Sequence, residues 1–169
     1  MQDAMQALRV RPVGPDDAGA IAAIYNHYVL NTFISFEEHA VAGADMAERI
    51  GDVLASGLPW LAASRADRVV GYAYAGKWKG RCAYRHSAES SVYVSPDCTG
   101  QGIGTALYRA LLTVLRDRSI HVVIGGVALP NPASVALHER LAFDKVAHFK
   151  EVGYKFGRWI DVGYWQRTP

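Results

Sequence analysis

Four apolar residues spaced four apart, Ile103, Leu107, Leu111 and Leu115, give the sharpest hydrophobic pattern in the chain and predict a helix with one strongly apolar face. Elsewhere the period changes. Leu8, Val10 and Pro12 alternate with Arg9 and Arg11, which reads as a short first strand ended by proline. Ile21, Ile24, Tyr25 and Tyr28 form a helical stripe behind a cap at Asp16 or Asp17, and Met46, Ile50, Val53 and Leu54 form a second that stops near Gly57. Trp60 to Ala63 and Val69 to Ala75 read as strands around the polar turn Arg65-Ala66-Asp67-Arg68. Ala88 to Val94 is the next strand and His121 to Ala128 another, while Asn131-Pro132 introduces a helix over Ala133 to Leu141. Asp144 to Phe149 and Asp161 to Trp165 supply the last strands, with Gly153 and Gly157 as turns or bulges between them.

That order, strand, two helices, three strands, helix, strand, helix, strands, fits an α/β (α+β) fold with a mixed sheet covered by helices better than a regularly alternating parallel one. The 169 residues suffice for one well-buried domain and nothing in the length asks for a second. Half the residues are hydrophobic. No run approaches the roughly 20 apolar residues of a membrane span, and the N-terminus lacks a signal-peptide pattern, so the expectation is a cytoplasmic protein without membrane contact. Cys82 and Cys98 have no metal-ligand spacing and read as free thiols, so no metal is expected. A net charge of +2 with no basic tract argues against nucleic acid and leaves an anionic small ligand open.

Such a ligand has a place in the segment Thr99-Gly100-Gln101-Gly102-Ile103-Gly104-Thr105, which connects the strand Ser91 to Val94 to the helix. Gly100, Gly102 and Gly104 let the backbone enter left-handed or crowded conformations, so successive N–H groups can meet a pyrophosphate at the positive end of the helix. A tight strand-to-helix connection with close packing accounts for the same glycines. The segment has no lysine of a nucleoside-triphosphate loop and no regular dinucleotide-binding unit before it.

With its flanks, the segment resembles the acetyl-coenzyme A loop of the GCN5-related N-acetyltransferase superfamily, in its phosphinothricin and methionine sulfoximine acetyltransferase branch. The resemblance is carried by Tyr74-Ala75-Gly76-Lys77-Trp78-Lys79, Ala88-Glu89-Ser90-Ser91-Val92-Tyr93-Val94-Ser95-Pro96, Leu129-Pro130-Asn131-Pro132-Ala133-Ser134-Val135 with Leu137-His138-Glu139, and Val152 to Trp159 with Asp161 to Trp165. It spans about residues 8–166, expected to be one N-acetyltransferase domain. It implies a mixed, mostly antiparallel central sheet flanked by helices, acetyl-coenzyme A as cosubstrate, a small amino-acid acceptor and a homodimer. One departure is Thr99, where the superfamily usually has Gln or Arg; its shorter side chain weakens a loop contact that Gln101 is placed to replace.

Acetyl transfer to an amine needs an unprotonated nitrogen, so a proton acceptor is required. Glu89 lies among short and β-branched residues just before the glycine turn, where a buried carboxylate is costly unless paired or functional; a carboxylate at an exposed strand end is the plainer reading. The resemblance makes Glu89 the general base, acting directly or through water. It also places His138 near the departing thiolate, although a hydrogen-bonded structural histidine explains the position equally well. Asn131 reads as a plain N-cap, to which the resemblance adds contact with the pantetheine arm or acetyl end, with Ser134 nearby. Val92, Tyr93 and Val94 are expected to offer backbone groups to the same arm, and Gly100 to Thr105, including Gln101, Ile103 and Gly104, to hold the pyrophosphate. Neither cysteine has a partner that marks an activated nucleophile, so direct transfer in a ternary complex is favoured. Arg81, Tyr84 and Arg85 form a basic-aromatic cluster suited to a carboxylate or phosphinate, or else a solvated loop. By resemblance, Phe36 and Glu37 approach the acceptor. The segment Lys155-Phe156-Gly157-Arg158-Trp159, rich in aromatic and basic groups, reads as a local hairpin or a subunit interface. The expected activity is acetylation of phosphinothricin, methionine sulfoximine or a similar amino acid; the alternatives are another natural amino acid or polyamine, or a non-catalytic acyl-coenzyme A sensor.

Overall fold

The computed structural model describes residues 7–169. In chain order the elements are β1 (Arg9–Pro12), α1 (Ala18–Asn31), α2 (Gly43–Ala55), β2 (Trp60–Arg65), β3 (Arg68–Lys77), β4 (Ser87–Val94), α3 (Ile103–Asp117), β5 (Val122–Leu129), α4 (Pro132–Arg140), β6 (Asp144–Lys155) and β7 (Arg158–Arg167). The strands form one seven-stranded sheet in the order β1-β2-β3-β4-β5-β7-β6. Only β4 and β5 run parallel; every other neighbouring pair is antiparallel.

The four-residue stripe on α3 does what its spacing predicts: Ile103, Leu107, Leu111 and Leu115 are buried against one face of the sheet, in a cluster that takes in Ala73, Ala75, Val123 and Trp165. The helix comes close because Gly71 of β3 lies beneath it. A Cβ there would stand 3.1 Å from Ile103 Cγ2 and 3.2 Å from Leu107 Cδ1. On the other face, α1 and α2 bury Ile21, Ile24, Met46 and Ile50 over Trp60, Ala62 and Tyr72. Leu54, expected on the α2 stripe, is exposed. Asp17 does occupy the N-cap position of α1, yet its carboxylate makes no cap bond; it accepts the Gly14 N–H at 2.6 Å and pairs with the Arg11 guanidinium at 2.6 and 2.9 Å. The strand-end arginine has taken the carboxylate away from the helix.

The turn between β2 and β3 is two residues, Ala66 and Asp67, both at positive φ, the backbone form that matches the right-handed strand twist. Phe156 and Gly157 close the β6–β7 hairpin in the same way. Of the two readings of Gly153, turn or bulge, the structure has the bulge: β6 continues to Lys155, and its register against β7 slips once between Lys145 and Ala147 and again between Phe149 and Gly153. That bulge is held by Asp161 of β7, which accepts the Glu151 N–H at 2.9 Å and meets His148 Nε2 at 2.7 Å.

The feature that matters most lies at the parallel pair. β4 and β5 pair from Ser87↔Val122 to Ser90↔Gly125 and then diverge, although β4 continues to Val94 and β5 to Leu129. Beyond that point β4 follows β3 and β5 follows β7, so the sheet opens in its middle.

Candidate active site

The opening is a slot of about 60 Å³, walled by Ser90 to Tyr93 of β4, Gly126 to Ala128 of β5, Tyr108 of α3, and Asn131, Ser134 and Ile34. Buried backbone groups require partners, and two strands that part company leave one edge of each without a neighbouring strand. The slot therefore suits an extended ligand that carries its own amide groups. Val92 and Val94 turn their side chains into the α3-side core, leaving only their main chains to the opening. The Tyr93 ring points to the opposite face, 5.2 Å from Tyr25 and 5.3 Å from Tyr28. The Val94 carbonyl accepts the Tyr28 hydroxyl at 2.5 Å and so is already engaged.

The glycine turn lies at the α3 end of β4. Gly100 and Gly102 have φ of +74° and +79°. A Cβ at either would meet nothing within 4 Å, so left-handed backbone, not crowding, calls for glycine at both positions. Gly104 differs: its Cβ would touch Leu137 at 3.3 Å, the close packing of the plainer reading. The first bond within α3 is from Ala106 N–H to Gly102 C=O at 3.0 Å. Ile103, Gly104 and Thr105 consequently present N–H groups without an intrahelical acceptor at the positive end of a 15-residue helix. Ile103 keeps its side chain in the core. The Thr99 hydroxyl reaches only the Pro96 carbonyl, at 3.4 Å, while the Gln101 side-chain carbonyl accepts from the Arg65 guanidinium of the β2–β3 turn. Asn131 is the N-cap of α4, its side chain accepting the Ser134 N–H at 3.1 Å, and it lines the slot as well.

Successive residues of a strand face opposite ways, and Glu89 and Ser90 use that alternation to place chemistry on both sides of the opening. Glu89 faces the α1–α2 side, half-buried, with no hydrogen bond or ion pair among the described residues. A Cβ on Gly126, which walls the slot, would stand 3.6 Å from Glu89 Oε1 and 3.1 Å from the Tyr164 ring, so the missing side chain leaves the carboxylate beside the opening. Burial pushes the Glu89 carboxyl above its ordinary value, and the Lys79 ammonium draws it partly back. Trp78, next to that lysine, packs edge-on against Tyr164 at 5.7 Å.

On the other side, Ser90 Oγ lies 3.1 Å from the Tyr108 hydroxyl, which lies 3.0 Å from His138 Nε2; His138 Nδ1 lies 2.7 Å from the Ser134 carbonyl. A carbonyl only accepts, so Nδ1 carries the ring proton, Nε2 accepts from Tyr108, and Tyr108 accepts from Ser90. Burial lowers the His138 pKa despite the opposing pull of the Ser134 carbonyl, which keeps the ring neutral near pH 7. Burial likewise raises the Tyr108 pKa and keeps the phenol protonated. His138 is 2% exposed and stands behind Tyr108, outside the slot wall. The group that reaches the opening is thus Tyr108, which the sequence reading passed over. Its only signal was a hydroxyl next to Leu107 on a helix face otherwise read as core.

The residues expected to hold the acceptor are less closely gathered. Arg81, Tyr84 and Arg85 lie on or beside a short 3-10 turn, all exposed, past the last β3–β4 pair, Lys77↔Ala88. Arg85 donates to the Cys82 carbonyl at 3.2 Å. Glu37 is paired with Arg49 at 2.7 Å and walls a separate cavity of about 320 Å³ with Tyr25, Trp60, Tyr72 and Tyr74. Phe36 lies over Gly153 of β6, where a Cβ would come within 2.5 Å of its ring.

A family model described as an acetyltransferase (GNAT) domain matches residues 10–163. A phosphinothricin N-acetyltransferase of Alcaligenes faecalis is 42% identical over 95% of this chain and 82% of its own length. An L-methionine sulfoximine/L-methionine sulfone acetyltransferase of Pseudomonas aeruginosa is 37% identical over 93% of this chain and 92% of its own. Among solved structures, a GNAT superfamily phosphinothricin acetyltransferase of Sinorhizobium meliloti, in complex with acetyl-coenzyme A, superposes with a TM-score of 0.92 at 34% identity, covering 95% of this chain and 88% of that one.

Proposed function

Since the chain belongs to the GNAT acetyltransferase family and is of its phosphinothricin N-acetyltransferase type, we propose that residues 8–166 act as one domain transferring acetyl from acetyl-coenzyme A to the free amino group of phosphinothricin, methionine sulfoximine or a similar small amino acid. The observation that carries the proposal is the parted β4–β5 pair, with Glu89 on one side and Tyr108 on the other. The cofactor, when bound, supplies an acyl group activated as a thioester. The N–H groups of Ile103, Gly104 and Thr105 hold its pyrophosphate, and the main chain of Val92 to Val94, with Asn131 and Ser134, lines the way for its arm.

Glu89 takes the proton from the acceptor's ammonium, directly or through water, so that the free amine attacks. Burial serves this step: a carboxylate whose proton affinity is raised is a stronger base than an exposed one. In the resting protein Tyr108 directs its proton at His138 Nε2. A turn about its C–O bond redirects that donor to the thioester oxygen, where negative charge grows in the transition state. His138 holds the phenol in place. A coenzyme thiolate is a fair leaving group, so the departing sulfur needs no strong acid. The acceptor binds on the Glu89 side, where Tyr74, Lys79 and Tyr164 lie near that carboxylate, and Arg81, Tyr84, Arg85, Phe36 and Glu37 are its further proposed contacts.

Mass-resolved products from acetyl-coenzyme A with phosphinothricin, methionine sulfoximine, the common amino acids and spermidine test the acceptor class. Saturable acetylation of the first two is expected. A product from spermidine or one common amino acid alone would move the assignment to that amine, and cofactor binding without any product would leave a sensor. Acetyl-coenzyme A as cosubstrate supports a cytoplasmic site of action.

The face of the β6–β7 hairpin that carries Tyr154 and Trp159 supports a homodimer, because both are more than half exposed, as are Val152 and Phe156 beside them. Light scattering should then read twice the 18.4 kDa chain mass, and Trp159→Asp should return it to the single-chain value. A single-chain mass for the parent protein would remove the dimer.

A further inference from the structure

The last residue of β6 is not part of that outward face. Lys155 is 2% exposed, and its ammonium donates to the Val29 carbonyl at 2.7 Å and the Ser35 carbonyl at 2.6 Å. Val29 belongs to the last turn of α1, where carbonyls lack helical partners and a cation is favoured, and α1 has no basic residue of its own in that turn. Ser35 stands in the segment that leads from α1 toward α2. Its hydroxyl lies 2.8 Å from that of Tyr25 and accepts the Glu37 N–H at 3.2 Å. The same hairpin touches this segment twice more: the Arg158 guanidinium lies 4.6 Å from the Phe33 ring centre, and Phe36 covers Gly153. From there the segment reaches the slot through Ile34.

We infer that Lys155 is a positioning residue, which fixes the segment from Thr32 to Glu37 against the acceptor side of the opening by holding the Val29 and Ser35 carbonyls together. The inference rests on the reading that this segment borders the acceptor. A buried ammonium is expensive to desolvate, and a side chain of similar length and no charge would fill the same volume. What the ammonium adds is direction, since two main-chain oxygens 6 residues apart in sequence converge on one atom.

Lys155→Met keeps the volume and removes the donors. The expected result is an acceptor KM raised about tenfold or more, cofactor affinity within about twofold of the parent, and faster hydrogen exchange at the amides of residues 33–37 in the protein without substrates. Lys155→Arg, whose guanidinium can still donate to both carbonyls, should recover most of the loss. If Lys155→Met does not fold, Lys155→Gln, which keeps a polar end but reaches less far and cannot hold both carbonyls, gives the same three readings. Unchanged exchange in the segment would overturn the inference. So would faster exchange with an unchanged KM, which would show a segment anchored by Lys155 yet remote from the acceptor. Should the parent protein acetylate no amine at all, the functional reading fails, while the exchange rates still decide whether Lys155 is the anchor.

Discussion

Glu89→Gln should lower kcat by about 10²- to 10⁴-fold near neutral pH, the range for loss of a positioned general base, while acetyl-coenzyme A binds within about twofold of the parent. Burial sets the direction of the pH dependence. The Glu89 carboxyl titrates above its ordinary value, so kcat/KM of the parent should fall on the acid side through a pKa higher than that of an exposed glutamate. Lys79 opposes that shift, and Lys79→Met should carry the acid limb to still higher pH. The stability consequence has the opposite sense to the catalytic one. A carboxyl with a raised folded-state pKa favours the folded chain below its unfolded pKa, and loses that contribution as pH rises through the folded one. At neutral pH the ionised side chain is a net burden, and Glu89→Gln should melt no lower than the parent. Thermal melting and stopped-flow rates over a pH series check both statements; unchanged turnover across the series rejects Glu89 as the base.

Tyr108→Phe is the second large effect. The phenol is the only hydroxyl that α3 contributes to the slot wall, and losing a donor aimed at developing charge should lower kcat by about 10- to 10³-fold. The change also leaves Ser90 Oγ without its closest partner and His138 Nε2 without its donor, at a cost of about 1–3 kcal/mol for a buried group left unsatisfied. A lowered melting temperature should therefore accompany the lost rate, with cofactor affinity little changed. His138→Ala provides the contrast. A histidine that acts through tyrosine should lose less turnover than Tyr108→Phe does, and a larger loss would make the imidazole itself the donor.

Much of this architecture could be read from spacing. The α3 stripe, the polar turn between β2 and β3 and the Asn131-Pro132 start of α4 all follow from local rules, and local rules sufficed because those elements answer to their own residues. β6 followed them only in part: Gly153 reads locally as a turn or a bulge, and the choice of bulge lies with the neighbouring strand, whose Asp161 holds the extra residues. The same limit applied to the site. Alternation along β4 places Glu89 and Ser90 on opposite faces, but nothing local says that Tyr108 arrives at Ser90 from α3, or that His138 stands behind it. Lys155 is the clearest case. In the sequence it belongs to a basic-aromatic run that reads as a local hairpin or a subunit interface, and its neighbours Phe156 and Trp159 are exposed on the hairpin, yet its own side chain turns inward to carbonyls 120 and 126 residues away.

The parted strands have a consequence for how such a protein diversifies. The opening is built from main-chain groups of β4 and β5 and from the amide ends of α3, and these persist through almost any replacement that keeps strand and helix. The ground around Glu89 is built from the tips of Tyr74, Lys79 and Tyr164, each replaceable by itself. One half of the catalyst is written in geometry and the other in side-chain identity. New acceptors can therefore be acquired one residue at a time, while the acyl donor stays the same.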